Sequence, residues 1–268
     1  QLFYQYAAQQ EDFYINDIDY LSADYGLTAW GDAFYWHMYK YAMCLDAIPS
    51  LANSIANIIK AIYGKNRKAL VLDLDNTLWG GVIGDDGVDG IAIGPEVPEG
   101  QVYAEFQSYC KALKSIGVIL AVDSKNDEAN ALAGLNHPDG ILRPDDFVSI
   151  HANWENKDLN LKAIADELSL GVDSFVFADD NPAERAIVAA QLPGVATPPL
   201  DGAENYIKTL DHGGYFEVTT LSGEDLKKTE LYHANAQRRQ AEASFADYNA
   251  YLRSLDMHAT IRGFENIY

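Results

Sequence analysis

Residues 69–81 read ALVLDLDNTLWGG, and this stretch decides the fold class. Its first seven residues, 69–75, have the length and the aliphatic content of a strand that is buried on both faces, as in a parallel sheet. Two carboxylates, Asp73 and Asp75, stand at the end of this predicted strand, and the Thr77 hydroxyl follows. Ligands of open parallel sheets bind beyond the carboxyl ends of the strands, so the stretch also predicts one edge of a functional site.

Strand-like and helix-like segments alternate after this stretch. Strands are predicted at 118–122, 147–151 and 174–180, with a short last one at 195–198, and helices at 99–116, 127–136, 157–169 and 182–191. This alternation predicts an α/β fold with a mainly parallel sheet and helices on both faces. Residues 31–63 also show helical spacing, and residues 222–255 are predicted to form one or two helices. We therefore divide the chain into a mostly helical lead-in (1–64), a catalytic domain (65–212) and a helical extension (213–268).

The composition of the chain excludes several classes of function. Forty acidic and nineteen basic residues among 268 give a net charge of −21, which repels nucleic acid and anionic membranes, so neither is an expected partner. No apolar run is long enough to cross a bilayer, and no signal peptide is visible. The two cysteines, Cys44 and Cys110, match no metal-binding or disulfide spacing. These features predict a cytoplasmic protein, and the missing initiator Met predicts a fragment of a longer chain.

The later predicted strands also end in polar side chains. These are Asp123, Ser124, Lys125 and Asn126 after the second strand, Lys157 shortly after the third, and Asp179 with Asp180 at the fourth. Clustered carboxylates repel one another unless a hard cation binds among them, and oxygen ligands suit Mg²⁺. With such a cation in place, one carboxylate can attack phosphorus. Ser124 and Lys157 would then stabilise the phosphoryl oxygens.

Each of these residues also has a simple structural interpretation. The Asp73–Asp75 pair suits a turn, Ser124 and Asp180 suit helix caps, and Lys157 suits a solvated helix surface. It is the ordered occurrence of the whole set at successive strand ends that favours phosphoryl transfer. An EF-hand starting at Asp73 would need Gly and Glu where Leu78 and Gly84 stand. A receiver domain would need its acidic pair first and its phosphorylated Asp after the third strand.

The order of these motifs resembles that of the haloacid dehalogenase (HAD) superfamily. The matching segments are VLDLDNT, ILAVDS, Lys157 and FVFADD. Four further segments are similar to the FkbH-like branch, HAD subfamily IIIC. They are DLDNTLWGGVIGDDG, SKNDE, NW followed by a Lys, and DDNPAER. The resemblance covers about residues 65–258, and residues 31–63 also look like the helical lead-in of those proteins. It implies a Rossmann-type three-layer α/β/α sandwich without a large cap, and Mg²⁺ as the cofactor.

The resemblance also implies a role for each site residue. Asp73 would be the nucleophile and a metal ligand, and Asp75 the general acid and base, giving the metal only its backbone carbonyl. Asp179 would be the third protein ligand, and Asp180 would support it without contacting the metal. Substrate binding is predicted for Thr77, Ser124, Lys125, Asn126 and Lys157, with Thr77 also fixing its loop. His151 and Trp154 are candidates for the pocket wall, and Arg185 for an ion pair.

Three hypotheses for the function remain open at this point. The leading one is a Mg²⁺-dependent phosphatase that forms an aspartyl-phosphate on Asp73, with a phosphorylated small molecule as substrate. The second is a transferase that loads a glyceryl or acyl group onto a carrier protein from a phosphorylated three-carbon donor. Relatives of that kind often have Cys where this chain has Asp123, which favours hydrolysis. The third is a non-catalytic interaction module that docks through the helices at 31–63 and 222–255.

Overall fold

The structure is a computed structural model, and it describes residues 2–10, 12–219, 223, 227, 230–232, 234–235, 253–254 and 258. The helices predicted over 222–255, and most of the predicted extension 213–268, lie outside the described residues. Among the helices that are described, none is long and apolar enough to cross a membrane.

Five helices precede the sheet, and helices alternate with strands after them. The first five are α1 (Leu2–Ala7), α2 (Ile18–Tyr25), α3 (Leu27–Trp30), α4 (Ala33–Tyr39) and α5 (Ile48–Ile62). The sheet region contains β1 (Ala69–Leu72), α6 (Ile83–Asp86), α7 (Pro98–Ser115), β2 (Ile119–Ser124), α8 (Glu128–Leu135), β3 (Ser149–Ala152), α9 (Lys157–Leu168), β4 (Phe175–Ala178), α10 (Pro182–Gln191) and α11 (Tyr206–His212). Short 3₁₀ turns occur at Leu45–Ala47, Pro144–Asp146, Val172–Ser174 and Ala203–Asn205.

The four strands found among the described residues form one parallel sheet in the order β3-β2-β1-β4. Every residue of β1 is buried, because this strand lies inside the sheet and both of its faces are covered. Leu70 and Leu72 pack on one face with side chains of α7, α8 and α11. Ala69 and Val71 pack on the other face with side chains of α9 and α10. The predicted α/β class and its three-layer α/β/α arrangement are confirmed.

The structure adds detail to one predicted region and shortens two predicted strands. Residues 31–63, predicted only to be helical, contain the two helices α4 and α5, and Lys40 ends α4 because it adopts a left-handed conformation (φ 60°). β1 stops at Leu72, three residues before the predicted end. The predicted strand at 195–198 is reduced to a single bridge between Val176 and Ala196. Two prolines follow at 198–199, and proline has no N–H to continue a ladder.

Candidate active site

The register of the sheet brings the predicted acidic residues to one level. In β1, Leu72 is the partner of Val122 in β2 and of Ala178 in β4. The next residues along the three strands are Asp73, Asp123 and Asp179. Parallel strands end at the same edge of their sheet, so these three carboxyl groups stand side by side where a ligand of an α/β fold binds.

Lys157 lies between two of these carboxylates. It is the first residue of α9, and its Nζ atom is 3.0 Å from Asp73 Oδ1 and 2.5 Å from Asp179 Oδ2. Only 3% of its side chain is exposed, and Nζ lies 5.6 Å from the centre of the Phe177 ring. Burial alone would lower the pKa of Lys157, but the charges of Asp73 and Asp179 outweigh it and raise that pKa. The ammonium group therefore stays charged and offsets part of the acidic cluster.

A group of three carboxylates is suited to holding a cation. Carboxylate oxygens of Asp73, Asp179 and Asp180 all lie within 4.8 Å of one another. Burial, followed by the nearby Asp73 charge, raises the pKa of both Asp179 and Asp180, as expected for acidic groups that lie close together. Hard oxygen donors in this arrangement fit Mg²⁺. Asp180 is one of the three carboxylates, although the sequence analysis predicted that it supports Asp179 without contacting the metal.

Asp75 is held apart from this group by three hydrogen bonds. Its Oδ1 atom accepts from Trp79 Nε1 at 2.8 Å and from the Ile83 backbone N–H at 3.0 Å. Its Oδ2 atom accepts from Asn126 Nδ2 at 2.9 Å. Burial raises the pKa of Asp75, which favours a proton on this carboxyl group at higher pH than usual. The side chain is thus fixed at the pocket wall, and the acid and base role of Asp75 stays a prediction.

The residues after the strand ends enclose a pocket of about 340 Å³. Its lining contains Asp73, Asp75, Asn76, Ser124, Lys125, Lys157, Asp180, Asn181, Pro182 and Glu184. Ser124 belongs to this lining, which places its hydroxyl group within reach of a ligand in the pocket. Lys125 Nζ is 2.6 Å from Glu184 Oε1 at the pocket rim.

Two predicted substrate-binding residues instead support the site from behind. Thr77 is fully buried, and its Oγ1 atom accepts a hydrogen bond from the Asp180 backbone N–H at 3.3 Å. Asn126 is 3% exposed and donates to Asp75. Neither lines the pocket, so the placement of Thr77 favours the loop-fixing role over direct substrate contact.

Arg185 fixes the turn that carries Asp179 and Asp180. Its Nη1 atom donates to the backbone carbonyls of both acids, at 2.7 Å in each case. Its Nη2 atom is 3.2 Å from Asp201 Oδ1, which confirms the predicted ion pair. The sequence therefore indicated the charge partner of Arg185 but not its more important contacts with the backbone of the site.

His151 and Trp154 lie outside the pocket lining. His151 Nε2 is 2.9 Å from Glu167 Oε1, and this contact raises the pKa of the histidine. Trp154 is 71% exposed, and its Nε1 donates to Asp127 Oδ1 at 2.8 Å.

Sequence analysis missed Asn160, a buried residue of α9 that donates a hydrogen bond to Asp123 Oδ1 at 3.0 Å. The signal in the sequence was an amide side chain three residues after Lys157, a spacing that places both residues on the same face of a helix.

A larger cavity of about 750 Å³ lies among α1, α2, α5 and α11. It shares no lining residue with the strand-end pocket. Asp73, Asp180 and Lys157 line the smaller pocket, which makes the smaller pocket the candidate active site.

The fold and the site define an α/β protein with an acidic strand-end pocket organised around one lysine. The chain is similar to a solved structure, that of the N-terminal part of the protein BF1531 from Bacteroides fragilis, which contains a phosphatase domain complexed with Mg. The two are 38% identical with a TM-score of 0.79, and the match covers 82% of this chain and 59% of that chain. This chain thus spans less than two thirds of the length of its structural neighbour. No family model matches the chain, and no curated protein matches it either.

Proposed function

We propose that the chain is a Mg²⁺-dependent phosphatase of the HAD type, with Asp73 as the covalent nucleophile. The observation that carries this proposal is the position of Lys157 Nζ between Asp73 and Asp179 at the floor of the pocket. The likeness to a phosphatase domain complexed with Mg supports the same reaction class. The FkbH-like affiliation rests on the motifs alone, and we keep it as part of the proposal.

The residues that would hold Mg²⁺ are Asp73, Asp179 and Asp180, together with the backbone carbonyl of Asp75. When bound, the cation supplies positive charge that offsets the repulsion between the carboxylates and a phosphate dianion. The acidic group fits this role, because its oxygens converge within 4.8 Å and Lys157 alone cannot neutralise them.

The first half of the reaction transfers the phosphoryl group to the protein. A carboxylate oxygen of Asp73 attacks phosphorus, and the bond from phosphorus to the leaving oxygen breaks. The protonated Asp75 carboxyl group donates its proton to that oxygen, which leaves as an alcohol. Lys157 and the hydroxyl of Ser124 stabilise the charge on the remaining phosphoryl oxygens.

The second half returns the protein to its starting state. Asp75, now ionised, takes a proton from a water molecule, and the resulting oxygen attacks phosphorus. The bond between phosphorus and Asp73 breaks, which releases inorganic phosphate and restores the Asp73 carboxylate. The three hydrogen bonds that fix Asp75 allow one side chain to act as acid and then as base at the same position.

Replacement of the nucleophile tests this proposal. We expect Asp73→Asn to lower kcat for p-nitrophenyl phosphate, measured with saturating Mg²⁺, by at least about a thousandfold, since the covalent route is lost. The matched control is Asp89→Asn, which removes an exposed carboxylate and should retain wild-type turnover. Wild-type kcat in the Asp73 variant would refute the nucleophilic role.

The positions of the thiols favour hydrolysis over loading of a carrier protein. Cys110 is fully buried within α7, and burial raises its pKa, so it is a poor nucleophile. Neither Cys110 nor Cys44 lines the strand-end pocket. Asp123, which stands where related transferases often have Cys, is also fully buried. We therefore propose a phosphorylated small molecule as substrate, and a carrier-bound phosphate only as the alternative.

A further inference from the structure

A buried polar network lies behind Lys157, and the reaction described above does not use it. It consists of Asp123 at the end of β2, Asn160 in the first turn of α9, and Asn153 in the loop between β3 and α9. Asp123 is fully buried and Asn160 is 5% exposed. Buried polar groups are costly unless they are paired, so a network of this kind in the core calls for an explanation.

Asn160 is the centre of the network and uses both of its amide hydrogens. Its Nδ2 atom donates to Asp123 Oδ1 at 3.0 Å and to Asn153 Oδ1 at 3.0 Å. Asn153 in turn donates from Nδ2 to Asn160 Oδ1 at 3.3 Å, and its backbone N–H donates to the Ser124 carbonyl at 3.1 Å. These bonds connect the first turn of α9 to the end of β2 at two points.

In the first turn of α9, the structure shows a hydrogen bond to β2 for the Asn160 side chain. Asn156 occupies the N-cap position, but its side chain makes no capping hydrogen bond. Lys157 follows directly as the first helical residue, and Asn160 lies one turn further on the same face. The Asn160 bonds therefore help to fix the backbone of Lys157 relative to the end of β2.

The register of the sheet places Asp123 next to the active site. It follows Val122, the register partner of Leu72, and so lies beside Asp73. Its Oδ1 atom is bonded to Asn160, whereas its Oδ2 atom is buried without a hydrogen-bond partner among the described residues. An acid with one oxygen left unpaired is an expensive choice for an ordinary core position. The hydrogen bond from Asn160 to Asp123 Oδ1 gives a reason for an acid at this position, because it connects α9 to the strand end beside Asp73.

We propose that Asp123, Asn160 and Asn153 form a positioning network that holds Lys157 Nζ between Asp73 and Asp179. None of the three residues contacts the substrate in this inference. They act through the backbone of α9, and Lys157 makes the contact. The inference rests on the proposed function, because it assigns a purpose to the placement of Lys157.

Binding of inorganic phosphate in saturating Mg²⁺, measured by calorimetry, tests the network in a double-mutant cycle. The four proteins are the wild type, Asn160→Leu, Lys157→Met and the double variant. We expect Asn160→Leu to weaken phosphate binding on the order of tenfold, because small displacements of a binding group are costly. In the Lys157→Met background the same substitution should have no further effect. Equal weakening in both backgrounds, or no weakening in either, would overturn the inference.

Further variants separate positioning from a general loss of packing. Lys162→Ala breaks the 3.1 Å pair with Asp158 on the same helix and should leave phosphate binding unchanged. Asp123→Leu should weaken binding as Asn160→Leu does, whereas Asp123→Asn retains an acceptor for Asn160 and should restore most of the affinity. If Asn160→Leu fails to fold, Asn153→Ala removes one arm of the network from a partly exposed position and should give a smaller weakening in the same direction.

The same experiment distinguishes failure of the network from failure of the proposed function. If Lys157→Met binds phosphate as tightly as the wild type, the phosphate-binding role of Lys157 is wrong. A crystal structure of Asn160→Leu then decides the positioning question independently of phosphate. Displacement of Nζ from Asp73 and Asp179 would support the network, and an unmoved Nζ would overturn it.

Discussion

At the scale of single residues, the site depends on how burial and neighbouring charges change ordinary side chains. Lys157 could be placed in the site from its motif, but its 3% exposure could not, because that depends on how α9 packs against the sheet. The orientation of Asp75 could not be predicted either, because its three hydrogen-bond donors come from residues 79, 83 and 126. The sequence identifies the reactive groups, and the packing determines their ionisation and orientation.

Asp123 leads to a prediction about stability and pH. Burial raises the pKa of Asp123 to about 7, well above that of an exposed Asp, so the folded state holds its proton more tightly than the unfolded state. The contribution of this group to the free energy of unfolding is therefore present at low pH and is lost as pH rises from about 4 to about 7. Asn at this position does not titrate and keeps an acceptor for Asn160.

The expected result is that Asp123→Asn gains stability relative to the wild type as pH rises. Without Mg²⁺, we expect the difference in the free energy of unfolding to shift in favour of the variant by on the order of 2 kcal/mol between about pH 5 and about pH 8. Urea unfolding at the two pH values measures this difference. A shift in the opposite direction would contradict the burial of Asp123 as a neutral acid.

At the scale of elements, the sheet and its helices were largely predictable, and the connections were not. β1, β4 and the first four residues of β2 are continuous apolar runs, so their existence followed from composition and length. Their ends were less certain, because Leu74 continues the apolar pattern after β1 has ended and is itself fully buried. The left-handed Lys40 gave no signal, since Gly and Asn are the residues that usually mark such a position.

The turn between β4 and α10 gives a prediction at this scale. Arg185 is 8% exposed and bonds to the carbonyls of Asp179 and Asp180. Arg185→Met keeps the apolar stem but removes the donors, so we expect a loss of about 2 kcal/mol in the free energy of unfolding. Because both acids then lose their fixed backbone, we also expect Mg²⁺ affinity to fall about tenfold, as calorimetry would show.

Arg143→Met is the matched control for this prediction. Arg143 also donates to backbone carbonyls, those of His137 and Pro138, but in a loop away from the pocket. The Arg143→Met variant should have a lower free energy of unfolding than the wild type and an unchanged Mg²⁺ affinity. Wild-type Mg²⁺ affinity in Arg185→Met would show that the arginine does not organise the acidic turn.

At the scale of the whole molecule, the net charge of −21 acts on any phosphorylated substrate. An anionic substrate is repelled by this surface, and dissolved salt screens the repulsion. With Mg²⁺ held at saturation, we expect kcat/KM for p-nitrophenyl phosphate to rise about twofold or more between low salt and about 0.15 M NaCl, with kcat unchanged. Steady-state kinetics over a salt series measures this, and a steady fall in kcat/KM would contradict it.

The region before the sheet shows what sequence reasoning could not reach. Its helices were predicted from apolar spacing, yet Phe34, Trp36, Ile55 and Ile59 are largely exposed. Apolar periodicity marks a face that can be buried, but it does not say against what. A docking role for this region stays a prediction, as does the division of the chain at residues 64 and 212.

The most direct test of the account is the site of phosphorylation during turnover. Rapid acid quenching with p-nitrophenyl phosphate and Mg²⁺, followed by peptide mass spectrometry, would locate any phosphoryl group on the chain. The Asp75→Asn variant should increase its yield, because the water that hydrolyses the intermediate then lacks its base. We predict one phosphoryl group on the peptide that contains Asp73, absent in Asp73→Asn. Turnover without any phosphorylated peptide in either protein, or with the group on another residue, would contradict the central claim.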